Sequence, residues 1–274
     1  MENQSTDLYL DLIKRILINY IYGDDELWPV IKPRGFISSS IVALFDKLGF
    51  GVFTQKKFNE EIRIEGMNWP PPPFAHSMIG LKRLDNIQFC IEEVITKNIG
   101  GDLIEAGVWR GGSTIFMRAV LKAYRITDRL VWVADSFEGL PEPDLKKYPQ
   151  DKGLKFHEAR ELSVSLEKVK TNFRKYDLLD NQVKFIKGWF SETLSSAPIN
   201  ELSVIRIDCD MYGSTMDSLK SLYPKLNPGG FIIIDDYGAI EACRKAVEDY
   251  RNQNSISDGL NWIDYSGVYW KKGG

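Results

Sequence analysis

Leu103-Ile104-Glu105-Ala106-Gly107-Val108-Trp109-Arg110-Gly111-Gly112-Ser113-Thr114 runs from a short apolar stretch, through a glycine-rich turn, into a segment of helical composition. A turn of this kind between strand and helix lets backbone approach a ligand closely, and the helix N-terminus behind it offers unpaired N–H groups. The glycines do not follow GxGxxG, and an acid at Glu105 would repel a pyrophosphate. An acid followed by Gly107 and Gly111 suits a ligand with a cationic amino-acid end, such as S-adenosylmethionine. Glu105, Ala106, Gly107 and Ser113 are the positions expected to hold it.

Downstream of this turn, short apolar runs alternate with helix-length amphipathic segments. The runs are Leu130–Ala134, Val183–Ile186, Val204–Ile207 and Phe231–Ile234; the helices start at Ser113 and lie near Ser163–Tyr176, Thr215–Leu222 and Ile240–Arg251. Runs of Val and Ile without polar alternation are strands covered on both faces, and the spacing fits parallel βαβ units. Asn261–Tyr265 and Val268–Lys271, joined through Ser266 and Gly267, read as a closing hairpin. These elements predict an α/β fold: a doubly wound, Rossmann-like, mostly parallel sheet of seven strands over residues 79–274.

Upstream, residues 1–78 read as a helical N-terminal cap. Leu8, Leu12, Ile13, Ile16, Leu17, Tyr20 and Ile21 recur at three- and four-residue spacing and form an apolar stripe that packs on the core or on a second copy of the chain. A homo-oligomer is expected on that ground. Pro29, Pro33 and the run Trp69-Pro70-Pro71-Pro72-Pro73 exclude a regular helix or central strand across much of 23–75, leaving a short helix near Ser38–Leu48. A second amphipathic helix spans about Ile79–Lys97 and stops at Asn98, Gly100 and Gly101.

A formal net charge of −3 and a pI near 5.6 give no electrostatic footprint for nucleic acid or an anionic membrane, so a small molecule is the expected partner. Cys90, Cys209 and Cys243 are odd in number, form no CxxC pair and have only two histidines to help them hold zinc, so reduced thiols are expected. The start, MENQSTD, lacks the basic and apolar regions of a secretory signal, so a cytoplasmic location is expected.

Polar residues recur at the strand ends, where ligands collect in a parallel sheet. Asp135, followed by Ser136, is placed to accept hydrogen bonds from ribose hydroxyls or to cap the next segment. Lys187-Gly188-Trp189-Phe190 offers aromatic rings that stack on adenine or pack in the core. Asp208 and Asp210, then Asp235 and Asp236, would converge at one rim, where clustered carboxylates repel each other unless a cation sits among them. Oxygen ligands favour Mg²⁺, or Ca²⁺ or Mn²⁺, over zinc, with Asp208, Asp235 and Asp236 as ligands. His157 lies in the polar stretch from Pro141 to Glu161, which reads as a mobile lid flanked by Glu138 and Glu142.

The ordered set Glu105-Ala-Gly-Val-Trp-Arg-Gly-Gly, Val133-Ala-Asp-Ser-Phe-Glu-Gly-Leu-Pro, Lys187-Gly-Trp-Phe, Arg206-Ile-Asp-Cys-Asp-Met-Tyr, Asp235-Asp-Tyr and Gly267-Val-Tyr-Trp resembles the macrocin O-methyltransferase family. The resemblance covers roughly residues 5–25 and 66–272; residues 27–65 depart from it as a longer insertion. It implies a class I methyltransferase that moves the methyl group of S-adenosylmethionine to a sugar hydroxyl with Mg²⁺ present. It also implies that His76, Ser77 and Met78 approach the cofactor, and that the N-terminal helix and the Glu138 loop cover the acceptor. Asp208 would then be both metal ligand and proton acceptor, with His157 as the alternative base. The rival expectations are a metal-dependent catechol-type O-methyltransferase, a nucleotide-binding oxidoreductase and a non-catalytic binding module.

Overall fold

Consecutive apolar residues in the central strands face opposite sides of one sheet: Leu103, Val131, Val133 and Val204 enter one core, Ile104, Trp132, Ala134 and Ile205 the other. Two-sided burial is why these strands show no polar alternation. The computed structural model describes residues 2–22, 25–29, 36–57, 59–67 and 73–274. It opens with α1 (Glu2–Leu17), β1 (Asp25–Pro29), α2 (Phe36–Lys47), β2 (Phe53–Lys57), α3 (Glu60–Ile64) and α4 (Leu81–Thr96). The alternating part follows: β3 (Asp102–Ala106), α5 (Gly112–Ala123), β4 (Val131–Asp135), α6 (Leu166–Lys175), β5 (Val183–Lys187), the short α7 (Phe190–Thr193) and β6 (Leu202–Ile207). The chain closes with α8 (Tyr212–Leu222), β7 (Leu226–Ile234), α9 (Glu241–Gln253), β8 (Asn261–Trp262) and β9 (Val268–Lys271).

The seven-stranded sheet has the order β5-β4-β3-β6-β7-β9-β8. β3 pairs in parallel with both β4 and β6, β7 lies parallel to β6, and β9 runs antiparallel to β7 and β8. The winding therefore reverses between β3 and β6, the place where a doubly wound sheet opens a crevice at its carboxyl edge. Helices α1, α4, α5 and α6 cover one face; α8 and α9 cover the other. The closing hairpin is shorter than expected, with only Asn261 and Trp262 in its first strand.

α1 packs on α5 and α4 through Leu10, Ile13 and Leu17, with the stem of Lys14 alongside. The spacing 10, 13, 14, 17 is an ideal helical stripe, and it is rotated from the expected one: Leu8 is 67% and Leu12 49% exposed. Lys14 disguises the stripe. Its ammonium lies 5.6 Å from the centre of the Phe116 ring and reaches Asp85, so the aliphatic stem is buried while the charge is satisfied. Of the expected stripe, Ile13 and Leu17 are used inside the chain, while Leu8, Leu12 and Ile21 remain exposed.

β1 and β2 form a separate two-stranded antiparallel sheet that the sequence did not suggest, and α2 is the short helix expected near Ser38–Leu48. Pro33 and the run from Trp69 to Pro72 lie outside the described residues. The stretch Pro141–Glu161, expected as a mobile lid, contains single 3-10 turns at Pro149–Asp151 and Phe156–Glu158 and is tied down by Asp151. Asp151 Oδ1 accepts the Tyr212 N–H at 2.6 Å and Oδ2 the Gly213 N–H at 3.0 Å, so an acid faces the α8 N-terminus. Cys90, Cys209 and Cys243 are buried and free. Among the described residues no helix is long and apolar enough to cross a membrane.

Candidate active site

Beyond the strand ends, backbone hydrogen bonds continue the sheet ladder: Gly107 N–H to Ala134 O at 2.9 Å, Asp208 N–H to Ala106 O at 2.9 Å, Asp235 N–H to Ile207 O at 3.0 Å and Gly188 N–H to Asp135 O at 3.0 Å. Residues just past each strand are therefore held as firmly as the strands. Gly107 has φ +89°, and a Cβ on it would stand 1.8 Å from the Asp208 carbonyl oxygen. No other residue fits there. The turn after β3 and the loop after β6 meet at the reversal of the winding.

A cleft of about 300 Å³ opens over this junction. From the β3–β5 side Gly107, Asp135, Ser136, Gly188, Trp189 and Phe190 reach its wall, with Met78 from the segment before α4. Asp208 and Asp210 face it from the β6 side, and Glu142, Tyr148 and Asp217 form the opposite wall. Glu105, Ala106 and Ser113 are buried and absent from that wall, and Asp235 and Asp236 are likewise fully buried. His157 sits exposed on its 3-10 turn, off the cleft. His76 is also elsewhere. Its Nδ1 lies 2.6 Å from the Tyr176 hydroxyl, and burial lowers its pKa to about 4, which keeps the ring neutral.

Asp135 caps the turns on either side of it and also reaches the cleft. Its Oδ2 accepts the Val108 N–H at 2.8 Å and its Oδ1 the Phe137 N–H at 2.7 Å, which clamps the glycine turn to the end of β4 while the side chain lines the cleft. Burial still raises its pKa. Glu105 differs from expectation: its Oε1 accepts from Arg206 inside the protein, and Oε2 is buried without a partner. Burial lifts the Glu105 carboxyl to about 8 even beside that guanidinium.

Two buried arginines organise the acids, and neither was singled out from the sequence. Arg206 Nη1 donates to Glu105 Oε1 and, at 2.9 Å, to Asp208 Oδ2; Nη2 donates to Asp235 Oδ1. Arg83, from α4, donates to Asp235 Oδ2 through Nη1 and to Asp264 through Nε at 2.7 Å and Nη2 at 3.2 Å. A signal existed in β6: Arg206 interrupts a run, Leu202–Ile207, in which every residue is buried, and a buried charge requires a partner.

Negative charge still exceeds positive charge here. Burial, then Asp235, raises the Asp208 carboxyl to about 6; burial, then Asp208 and Asp235, raises Asp210 to about 8; burial, then Asp210, pushes Asp236 well above the carboxylate range. Asp208, Asp235 and Asp236 each offer an oxygen, all within 4.8 Å of one another, and Asp236 Oδ1 is buried with no partner. This donor set fits a hard divalent cation. Asp235 would share its oxygens between such an ion and the arginines, through the second lone pair on each.

The family model described as macrocin-O-methyltransferase (TylF) matches residues 6–272. The 8-demethyl-8-(2,3-dimethoxy-alpha-L-rhamnosyl)-tetracenomycin-C 4'-O-methyltransferase of Streptomyces olivaceus is 47% identical over 272 residues, covering 99% of this chain and 95% of that protein. The mycinamicin III 3''-O-methyltransferase of Micromonospora griseorubida is 46% identical, over 97% and 96%. Coverage this complete takes residues 27–65 into the span shared with these relatives. The solved O-methyltransferase NovP superposes with a TM-score of 0.85 at 43% identity, over 98% of this chain and 100% of that one. Its class I methyltransferase fold is the fold described above. The chain therefore belongs to the macrocin-O-methyltransferase family and is an S-adenosylmethionine-dependent O-methyltransferase.

Proposed function

We propose that the enzyme methylates a hydroxyl of a sugar carried by a small-molecule natural product, with a divalent cation, Mg²⁺ first, held by Asp208, Asp235 and Asp236. The observation that carries the cation is the three-carboxylate group with a buried, partnerless Asp236 oxygen. The sugar is supported by the tetracenomycin relative, whose name specifies a rhamnosyl acceptor.

Methyl transfer is an in-line displacement, so the protein must hold nucleophilic oxygen, methyl carbon and sulfur close to one line. Gly107 leaves room for the amino-acid end of the donor, Asp135 and Ser136 face its ribose, and Trp189 or Phe190 offers a ring to its adenine. A cation held by Asp208, Asp235 and Asp236 would supply Lewis-acid activation of the acceptor hydroxyl. Asp208, with a carboxyl raised only to about 6, is ionised at neutral pH and accepts the hydroxyl proton. Asp210 faces the cleft beside Asp208 and replaces His157, which lies off the wall, as the alternative acceptor, for which its carboxyl, raised to about 8, must first give up a proton.

The test is methyl transfer, followed by mass spectrometry, to three acceptors: a rhamnosylated polyketide, its aglycone and a catechol. Each is assayed after chelation and again with MgCl₂ restored. The glycoside alone should gain one methyl group, and only with the cation present. Catechol turnover without glycoside turnover would overturn the sugar; full activity after chelation would overturn the cation. Asp208→Asn should lower kcat by about 100-fold or more at saturating MgCl₂. Near-normal turnover would move the base to Asp210.

A further inference from the structure

We propose that Arg206 is a positioning residue that couples the donor-binding turn to the cation-binding acids, so that S-adenosylmethionine and the cation strengthen each other's binding. The inference rests on the cation reading given above. Glu105 is the penultimate residue of β3, Asp208 follows β6 and Asp235 follows β7, and a single guanidinium touches all three. Arg206 is opposite Glu105 in the β3–β6 register, only 1% exposed, and rooted in a strand buried along its whole length. It cannot follow one acid without changing its hold on the others. Nε, the one nitrogen of that guanidinium without a partner, is buried too.

Charge neutralisation alone would not need this geometry. One Nη atom bridges Glu105 and Asp208, linking the floor beneath the glycine turn to the acid that faces the acceptor. A donor settling on the turn fixes Glu105, and through Arg206 it fixes the Asp208 carboxylate in the position the cation requires. A cation settling on Asp208 and Asp235 draws on the same guanidinium and orders the turn from the other side. Such coupling must be reciprocal, with one factor describing both directions.

Calorimetry on chelator-treated protein measures that factor. S-adenosylmethionine is titrated with and without saturating MgCl₂, and MgCl₂ with and without saturating S-adenosylmethionine. Wild-type protein should show about 5-fold or greater mutual tightening, equal in both directions. Arg206→Lys keeps the positive charge but cannot bridge three carboxylates, and its factor should fall to about one while both ligands still bind. Should circular dichroism show that variant unfolded, Glu105→Leu, close in size but without an oxygen for Arg206 to hold, breaks the link from the other end and should also abolish the coupling. A purely structural Arg206 would lower the melting temperature and leave the factor intact. Coupling retained in a folded variant, or absent from wild type that binds both ligands, overturns the inference alone. Wild type that binds S-adenosylmethionine but no MgCl₂ overturns the cation reading and the inference together.

Discussion

Gly107 shows how much one residue settles. A methyl group there would collide with the Asp208 carbonyl at 1.8 Å in a backbone conformation that costs any L side chain further strain. Gly107→Ala should push β3 and β6 apart at their carboxyl ends, weakening S-adenosylmethionine binding by about 10-fold or more and lowering stability by about 1–3 kcal/mol. Calorimetry and thermal unfolding read both, and a tight-binding alanine variant would mean the turn is more pliable than its contacts imply. His76 gives a pH signature. Its pKa of about 4 in the fold, against 6.5 for the free side chain, means that the unfolded chain takes up a proton the folded chain refuses. The stability it contributes is complete above pH 6.5 and is lost as pH falls towards 4. His76→Gln should flatten the decline of melting temperature across that window; an equally steep decline would place its cause elsewhere. Residues whose role follows from backbone geometry, such as Gly107, were legible in the sequence. Glu105 was legible as an acid beside the glycine turn, but its burial against Arg206 was not, because nothing local to Arg206 says which acids three strands bring to it.

Elements were legible in proportion to the regularity of their burial. β3, β4, β6 and β7 stand out through runs of consecutive buried apolar residues, such as Val131–Ala134 and Phe231–Ile234, which a sheet covered on both faces produces. β1 and β2, Asp-Glu-Leu-Trp-Pro and Phe-Thr-Gln-Lys-Lys, carry no such pattern, and their pairing spans the intervening α2. The 3-10 turns of the cleft wall are too short for any period to register. What fixes that wall is Asp151, through two N–H groups at the start of α8. Asp151→Ala removes a charged acceptor from a helix N-terminus, so it should cost about 1–2 kcal/mol. It should also raise the KM for the acceptor more than the Kd for S-adenosylmethionine, since Tyr148 and Asp217 sit on the wall it anchors. Equal effects on both ligands would argue that the wall serves the whole cleft.

At the scale of the molecule, the clustered acids proposed to hold a cation work against the cation-free fold. The pKa values of Glu105, Asp208, Asp210 and Asp236 are all raised, so the folded chain holds protons that the unfolded chain releases, and stability falls as pH climbs from the ordinary carboxylate range towards 8. A cation reverses the trend. MgCl₂ at about 100 times its Kd should add about 2.7 kcal/mol, or roughly 5–10 °C in melting temperature for a chain of this size. That increment should shrink as pH drops through about 6, because the ligands must shed protons to bind. Scanning fluorimetry of chelator-treated protein checks it, and an increment independent of pH would count against these ligands.

The antiparallel strand β9 lies directly beside β7, the strand that delivers Asp235 and Asp236. During synthesis β7 emerges before α9, β8 and β9 have been made, at roughly 5–20 residues per second. For those seconds the outer edge of β7 is an unpaired ladder of N–H and C=O groups, next to acids whose arginine Arg83 is also held by Asp264, just ahead of β9. The turn after β3 and the loop after β6 are thus complete in sequence before the strand that backs β7 exists, and Asp235 and Asp236 are the last acids of the rim to gain a paired strand on their outer side.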